Sequence, residues 1–263
     1  AGEGLRGSGS AQEVIPDRDE IGPRGGRESR SIVILQPDSE AAYLGGEVRG
    51  TVVVISGDEG AAEDIETGFD AGGEADDESR LRAGGRVLDV GCGHGHAAIA
   101  LAKGFPASAI VGVDPDAASI AEARAAAQAA GTPGIRFVQA TLDGIPEQPG
   151  FDLITIFDSL HDLPDPVAVL KQIRARLAPD GVLFVIELKV ADRLEENCTP
   201  IGAMFYGFSM FHCMTQSLAH GGAGLGACMG PALTAGLFTA AGFTRVEQLP
   251  IRSPTNLFYA VRA

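Results

Sequence analysis

From residue 86 onward the chain alternates between short apolar runs and longer stretches whose apolar residues recur at helical spacing. The short runs predict strands at 86–90, 109–113, 136–140, 152–157 and 181–187, since β-branched and aromatic residues crowd them. Between them the helical pattern falls at about 94–103, 116–130 and 166–177, with Asp180-Gly181 predicted as the turn that closes the last helix. Strands alternating with helices imply a parallel sheet covered on both faces. The end of the chain changes that pattern. A helix at 231–241 precedes two strand-like runs, 245–250 and 257–261, joined by Arg252-Ser253-Pro254-Thr255. That link suits a hairpin and is too short for a parallel crossover, so the last strand should run antiparallel. The predicted fold class is α/β, a Rossmann-like, doubly wound sheet of seven strands.

Residues 1–82 lack this regularity. They hold 15 of the 36 glycines and only two aromatics, Tyr43 and Phe69. Acidic, Gly-rich stretches such as 57–77 bury too little apolar surface to offset the entropy of ordering. Two apolar runs, 31–35 and 51–55, could pair as a small β element. The expected division is therefore a largely irregular, poorly ordered region at 1–82 and a folded domain at 83–263. Within the latter, 189–230 is a long insertion before the last helix.

Composition narrows the function classes. The net charge of −15 disfavours a nucleic-acid partner, and 8 basic against 19 acidic residues in the first 85 concentrate that charge at the N-terminal end. No apolar run reaches the ~20 residues of a membrane span, and the first ten residues show no secretory pattern. Cys92, Cys198, Cys213 and Cys228 are too scattered for a zinc motif or a disulfide framework, which fits a reducing cytoplasm. A small-molecule acceptor and a homodimer are the partners left open.

The chemistry concentrates where the strand at 86–90 meets Gly91, Cys92, Gly93, His94 and Gly95. Glycines suit a tight turn that lets a ligand approach the backbone. Asp89 stands two residues before the first of them, where it would repel a pyrophosphate seated on the helix N-terminus. A dinucleotide fingerprint would also need its third glycine at His96. The pattern Asp89-x-Gly91-x-Gly93-x-Gly95 instead resembles the first motif of class I S-adenosylmethionine-dependent methyltransferases, whose antiparallel last strand the terminal hairpin also matches. That ligand carries a sulfonium and an ammonium, so an acid nearby is tolerable.

The resemblance implies S-adenosylmethionine as cofactor and assigns further positions. Asp114, followed by Pro115, would accept hydrogen bonds from both ribose hydroxyls, although an aspartate there could also serve the start of the next helix. The adenine is usually met by an acid after the third strand. Here Thr141 holds that place, leaving its hydroxyl, the Leu142 backbone or Asp143 to substitute. Phe157 and Asp158 end the fourth strand, the edge that faces the transferred methyl. The block His212-Cys213-Met214-Thr215 with Gly221-Gly222-Ala223-Gly224-Leu225-Gly226 resembles a bacterial group labelled methyltransferase-type transcriptional regulators. Their winged-helix-like N-terminal domain is not apparent in residues 1–82, so DNA binding is not carried over.

For a hydroxyl acceptor a base is needed, and His161 and His212 are the candidate catalytic residues. His161 could equally pack on the cofactor or bond Asp162 or Asp165. His212 could serve the lid, and His94 could reach the cofactor carboxylate or cap the helix. Cys213 points about 100° from His212 if both lie on one helix, and reads as packing. Asp158, Asp162 and Asp165 imitate a metal site, but no matching ligand set is legible and none is expected. Two functions remain: methyl transfer to a small molecule enclosed by 189–230, or non-catalytic S-adenosylmethionine sensing.

Overall fold

The computed structural model describes residues 33–37, 50–54, 77–146, 149–251 and 253–263. Most of the region 1–82 lies outside the described residues. Two of its short runs, β1 (Val33–Pro37) and β2 (Gly50–Val54), pair antiparallel with Leu35 opposite Val52. The helix α1 (Asp77–Arg82) falls before the boundary expected at 83 and belongs to the domain that follows. Leu81 is buried in the main core, and Arg262 near the C-terminus reaches Asp77 at 2.6 Å.

Seven strands form the principal sheet: β3 (Arg86–Val90), β4 (Ala109–Asp114), β5 (Arg136–Gln139), β6 (Phe151–Phe157), β7 (Leu177–Leu188), β8 (Arg245–Gln248) and β9 (Asn256–Arg262). Their order is β5-β4-β3-β6-β7-β9-β8, with β9 antiparallel to both neighbours and every other pairing parallel. β3 lies in the interior of the sheet, and its Val87, Leu88 and Val90 are buried to both sides, as a parallel strand between helical layers requires.

Helices α2 (His96–Gly104) and α3 (Ala117–Ala129) cover one face, through Ala98, Leu101, Ile120 and Ala123. Helices α4 (Pro166–Arg176) and α7 (Gly230–Ala240) cover the other, through Leu170, Ile173, Leu237 and Phe238. Start signals in the sequence set two of these boundaries. Asp116 accepts from Ser119 N at 2.7 Å to cap α3, and Asp165 accepts from Ala168 N at 2.9 Å to cap α4, with Pro166 in the first turn.

The start of β7 differs from the expected turn at Asp180-Gly181. Pairing jumps from Phe151↔Leu177 to Leu153↔Val182, so four residues of β7 bulge opposite Asp152. Gly181 permits this, because a Cβ there would sit 2.6 Å from the Phe151 carbonyl oxygen.

The insertion is helical. α5 (Pro200–Phe208) starts on the Thr199 cap, a π-turn follows at Ser209–Cys213, and α6 (Met214–Ala219) completes it. Phe205, Cys213 and Ala227 form a small core with Leu188 and Val190 at the end of β7. Among the described residues no helix is long and apolar enough to cross a membrane.

Candidate functional site

The glycine turn hangs from the end of β3 and is keyed to β4. Gly91 N and Cys92 N both donate to Val113 O, at 2.9 and 3.1 Å. Gly91, Gly93 and Gly95 all adopt positive φ (67°, 48° and 78°), where a side chain is strained. Their surroundings differ. A Cβ on Gly95 would stand 2.7 Å from Phe137 Cζ, whereas nothing lies within 4 Å of one on Gly93. The same Phe137 ring lies over Gly112 on β4, beside the Cys92 sulfur. Gly93 therefore presents bare backbone to open space, and Gly95 is held by packing.

Asp89 is buried beneath the turn. Its Oδ1 accepts from Thr155 Oγ1 at 2.7 Å, and its Oδ2 has no hydrogen-bond partner among the described residues. Burial pushes this carboxyl up to about 7, against the Thr155 bond that favours ionisation. Cys92 is also buried, and burial raises its thiol well above the ordinary range, so it packs rather than reacts. His94 is exposed and reaches outward to Glu122, 3.5 Å away on α3.

Asp114 ends β4 against the turn. Its Oδ2 accepts from Gly93 N at 3.0 Å and its Oδ1 from Asp116 N at 2.9 Å, where Pro115 and Asp116 lead into α3. The loop after β5 lies next to it, through Ala140 N donating to Asp114 O at 3.0 Å. There Thr141 is exposed and hydrogen-bonds Asp143, while Leu142 is buried and its carbonyl accepts from Arg176 Nη2 at 3.0 Å. The Leu142 carbonyl is thus already engaged, and Thr141 with Asp143 makes the polar face of this loop.

At the end of β6, Phe157 is half-buried and stacks edge-on against Phe184. Asp158 follows at φ 46°, the single non-glycine with positive φ among the described residues. Such strain persists where the surroundings hold it, often at functional sites. Asn256 on β9 donates to both Asp158 oxygens at 3.3 and 3.4 Å. Burial and the nearby Glu187 charge push the Asp158 carboxyl up to about 7.

His161 is sealed within this edge. Its Nδ1 lies 2.5 Å from Glu187 Oε2 and its Nε2 3.6 Å from Asp162 Oδ1. Burial alone would lower its pKa, but the Glu187 charge and hydrogen bonds to Cys213 and Glu187 outweigh it and carry the imidazole up to about 11. An imidazole that keeps its proton at neutral pH is a poor general base.

His212 is not brought to this cluster. It is exposed on the insertion, and its neighbour Cys213 is the residue turned inward to His161. Glu187, Thr155 and Asn256 were not singled out by the sequence. Glu187 left a signal, as the one acid near the end of the apolar run Val182–Leu188. Asn256 left none.

Residues 81–221 match a family described as methyltransferase domain. A trans-aconitate 2-methyltransferase of Methylobacterium nodulans is 35% identical over 116 residues, covering 44% of this chain and 42% of that protein. A ubiquinone biosynthesis O-methyltransferase of Paracidovorax citrulli is 34% identical over 103 residues, covering 38% and 42%. The match thus spans about two fifths of the length of these curated relatives. Among solved structures PigF, determined with SAH, superposes with a TM-score of 0.55 over 70% of this chain and 53% of that one, at 19% identity, a likeness of fold. The strand order, the glycine turn and the matched residues agree, and the chain belongs to the methyltransferase domain family.

Proposed function

We propose that this protein is an S-adenosylmethionine-dependent methyltransferase acting on a small-molecule acceptor enclosed by residues 189–230. The observation that carries this reading is the open backbone of Gly93 beside the Asp114 carboxylate. Each carboxylate oxygen has a second lone pair, so Asp114 can keep its bonds to Gly93 and Asp116 while accepting from two ribose hydroxyls. The orphaned, buried Asp89 Oδ2 suits a ligand with a cationic methionine end. Thr141 and the backbone around Leu142 would border the adenine, and Phe157 with Asp158 the methionine side.

When bound, the cofactor supplies a methyl group on a positively charged sulfur. Displacement at that carbon needs an in-line nucleophile, so the protein's main contribution is to hold the acceptor and exclude water. The insertion would do this, anchored on Leu188 and Val190 through Phe205 and Cys213. His161, clamped by Glu187, would hold this edge in place. Within the family we infer kinship to the regulator-type group, on the block from His212 to Gly226.

Calorimetry with S-adenosylmethionine on the parent and on Asp114→Ala tests the cofactor assignment; no binding by the parent sinks it. A panel of hydroxyl, amine and carboxylate acceptors then tests transfer. Binding without turnover on any of them would replace the enzyme with a sensor.

A further inference from the structure

Three side chains with metal-ligating atoms converge on one point at the end of β6. A donor atom from each of His161, Asp162 and Cys213 lies within 4.8 Å of the others, and His161 and Cys213 are buried. They come from separate parts of the chain, the turn after β6 and the insertion. The π-turn at Ser209–Cys213 widens the helix where Cys213 faces inward, and such single π-turns recur at functional sites.

Three carboxylates, Asp158, Asp162 and Glu187, crowd one imidazole. Asp162 Oδ1 and Glu187 Oε1 are sealed from solvent without hydrogen-bond partners among the described residues. Buried carboxylates in excess call for a cation. Glu187 also takes His161 Nδ1 at 2.5 Å, which leaves Nε2 to face Asp162. A carboxylate behind the distal nitrogen is the usual support for a metal-bound histidine.

We infer that His161, Asp162 and Cys213 form a site for one divalent cation of zinc type, backed by Glu187 and tying the insertion to the end of β6. The nitrogen, sulfur and oxygen donors select a borderline-soft ion over magnesium or calcium, which prefer oxygen alone. Three protein ligands leave a fourth position open. This site is independent of the cofactor assignment, and its test involves no methyl transfer.

The full chain, stripped with a chelator, is titrated with cobalt(II) and then with zinc(II) in competition. One equivalent should bind, with a thiolate-to-cobalt absorption band that Cys213→Ser abolishes and Cys198→Ser, on the exposed thiol, leaves intact. Glu187→Gln should weaken binding by roughly 10–100-fold, and His161→Gln by more. Circular dichroism checks folding; should His161→Gln not fold, Asp162→Asn at the half-buried ligand replaces it. No metal bound at micromolar concentration, or an unchanged band in Cys213→Ser, overturns the site.

Discussion

The Asp114 carboxylate accepts a hydrogen bond from Gly93 N at 3.0 Å, joining the ends of β3 and β4. One side chain thereby shapes the turn and offers acceptors to whatever lies on it. Asp114→Ala removes two backbone-bonding oxygens. It should cost about 1–3 kcal/mol in urea unfolding. It should also weaken S-adenosylmethionine binding by more than about tenfold, or about 1.4 kcal/mol. Asp114→Asn should recover part of the stability and little of the binding. Equal cofactor affinity in all three proteins would remove Asp114 from the site.

Gly93 and Gly95 should separate binding from folding. Both have positive φ, so alanine at either costs about 1 kcal/mol of backbone strain. Gly95→Ala also drives a methyl to 2.7 Å from Phe137 Cζ, adding about 1–3 kcal/mol of overpacking. Gly93→Ala, in open space, should melt near the parent yet bind cofactor poorly. Thermal melts with and without S-adenosylmethionine check this; a full ligand-induced shift in Gly93→Ala refutes the contact.

Asp89 should make stability fall as pH rises. Its carboxyl titrates near 3.8 when unfolded and at about 7 when folded. Between those values the folded state holds the extra proton, so this contribution is complete below about pH 4 and lost as pH passes 7. Asp89→Asn keeps the shape without the charge. Relative to the parent it should gain up to about 4 kcal/mol from pH 4 to pH 8. Unfolding curves across that range test it, and parallel profiles for the two proteins would show that Asp89 does not titrate this way.

His161 and Glu187 should behave as a unit. His161→Gln leaves Glu187 buried without its partner, at a cost of about 3–5 kcal/mol. Adding Glu187→Gln should restore part of that loss, with a coupling of about 0.5–3 kcal/mol in a double-mutant cycle on metal-free protein. Strict additivity would mean the pair is not coupled.

The sheet was legible because its strands are apolar runs and two of its covering helices carry caps: Asp116 and Asp165 each bond the backbone they precede. The terminal hairpin followed from loop length alone. The bulge at residues 178–181 was not legible, since Asp180-Gly181 reads as a turn and only the Phe151 carbonyl shows why glycine is there. At the site, Asp89, the glycines and Asp114 stand out by spacing. The His161 cluster does not, because Glu187, Cys213 and Asn256 come from three other segments, and the protonation of the imidazole depends on the Glu187 charge and the Cys213 hydrogen bond. The sequence reads Cys213 as a packing residue and His212 as a catalytic or lid candidate; the π-turn leaves His212 in solvent and Cys213 inside.

The Phe137 ring closes over two glycines at once, Gly95 of the turn and Gly112 of β4. These three positions therefore cannot drift one at a time. A methyl at Gly112 would meet the ring at 2.8 Å and the Cys92 sulfur at 3.0 Å, so it becomes admissible only once position 137 shrinks. Among relatives, residues 95, 112 and 137 should change together or not at all. A library that redesigns the cofactor turn should vary them as one unit, with bulk traded between ring and glycine.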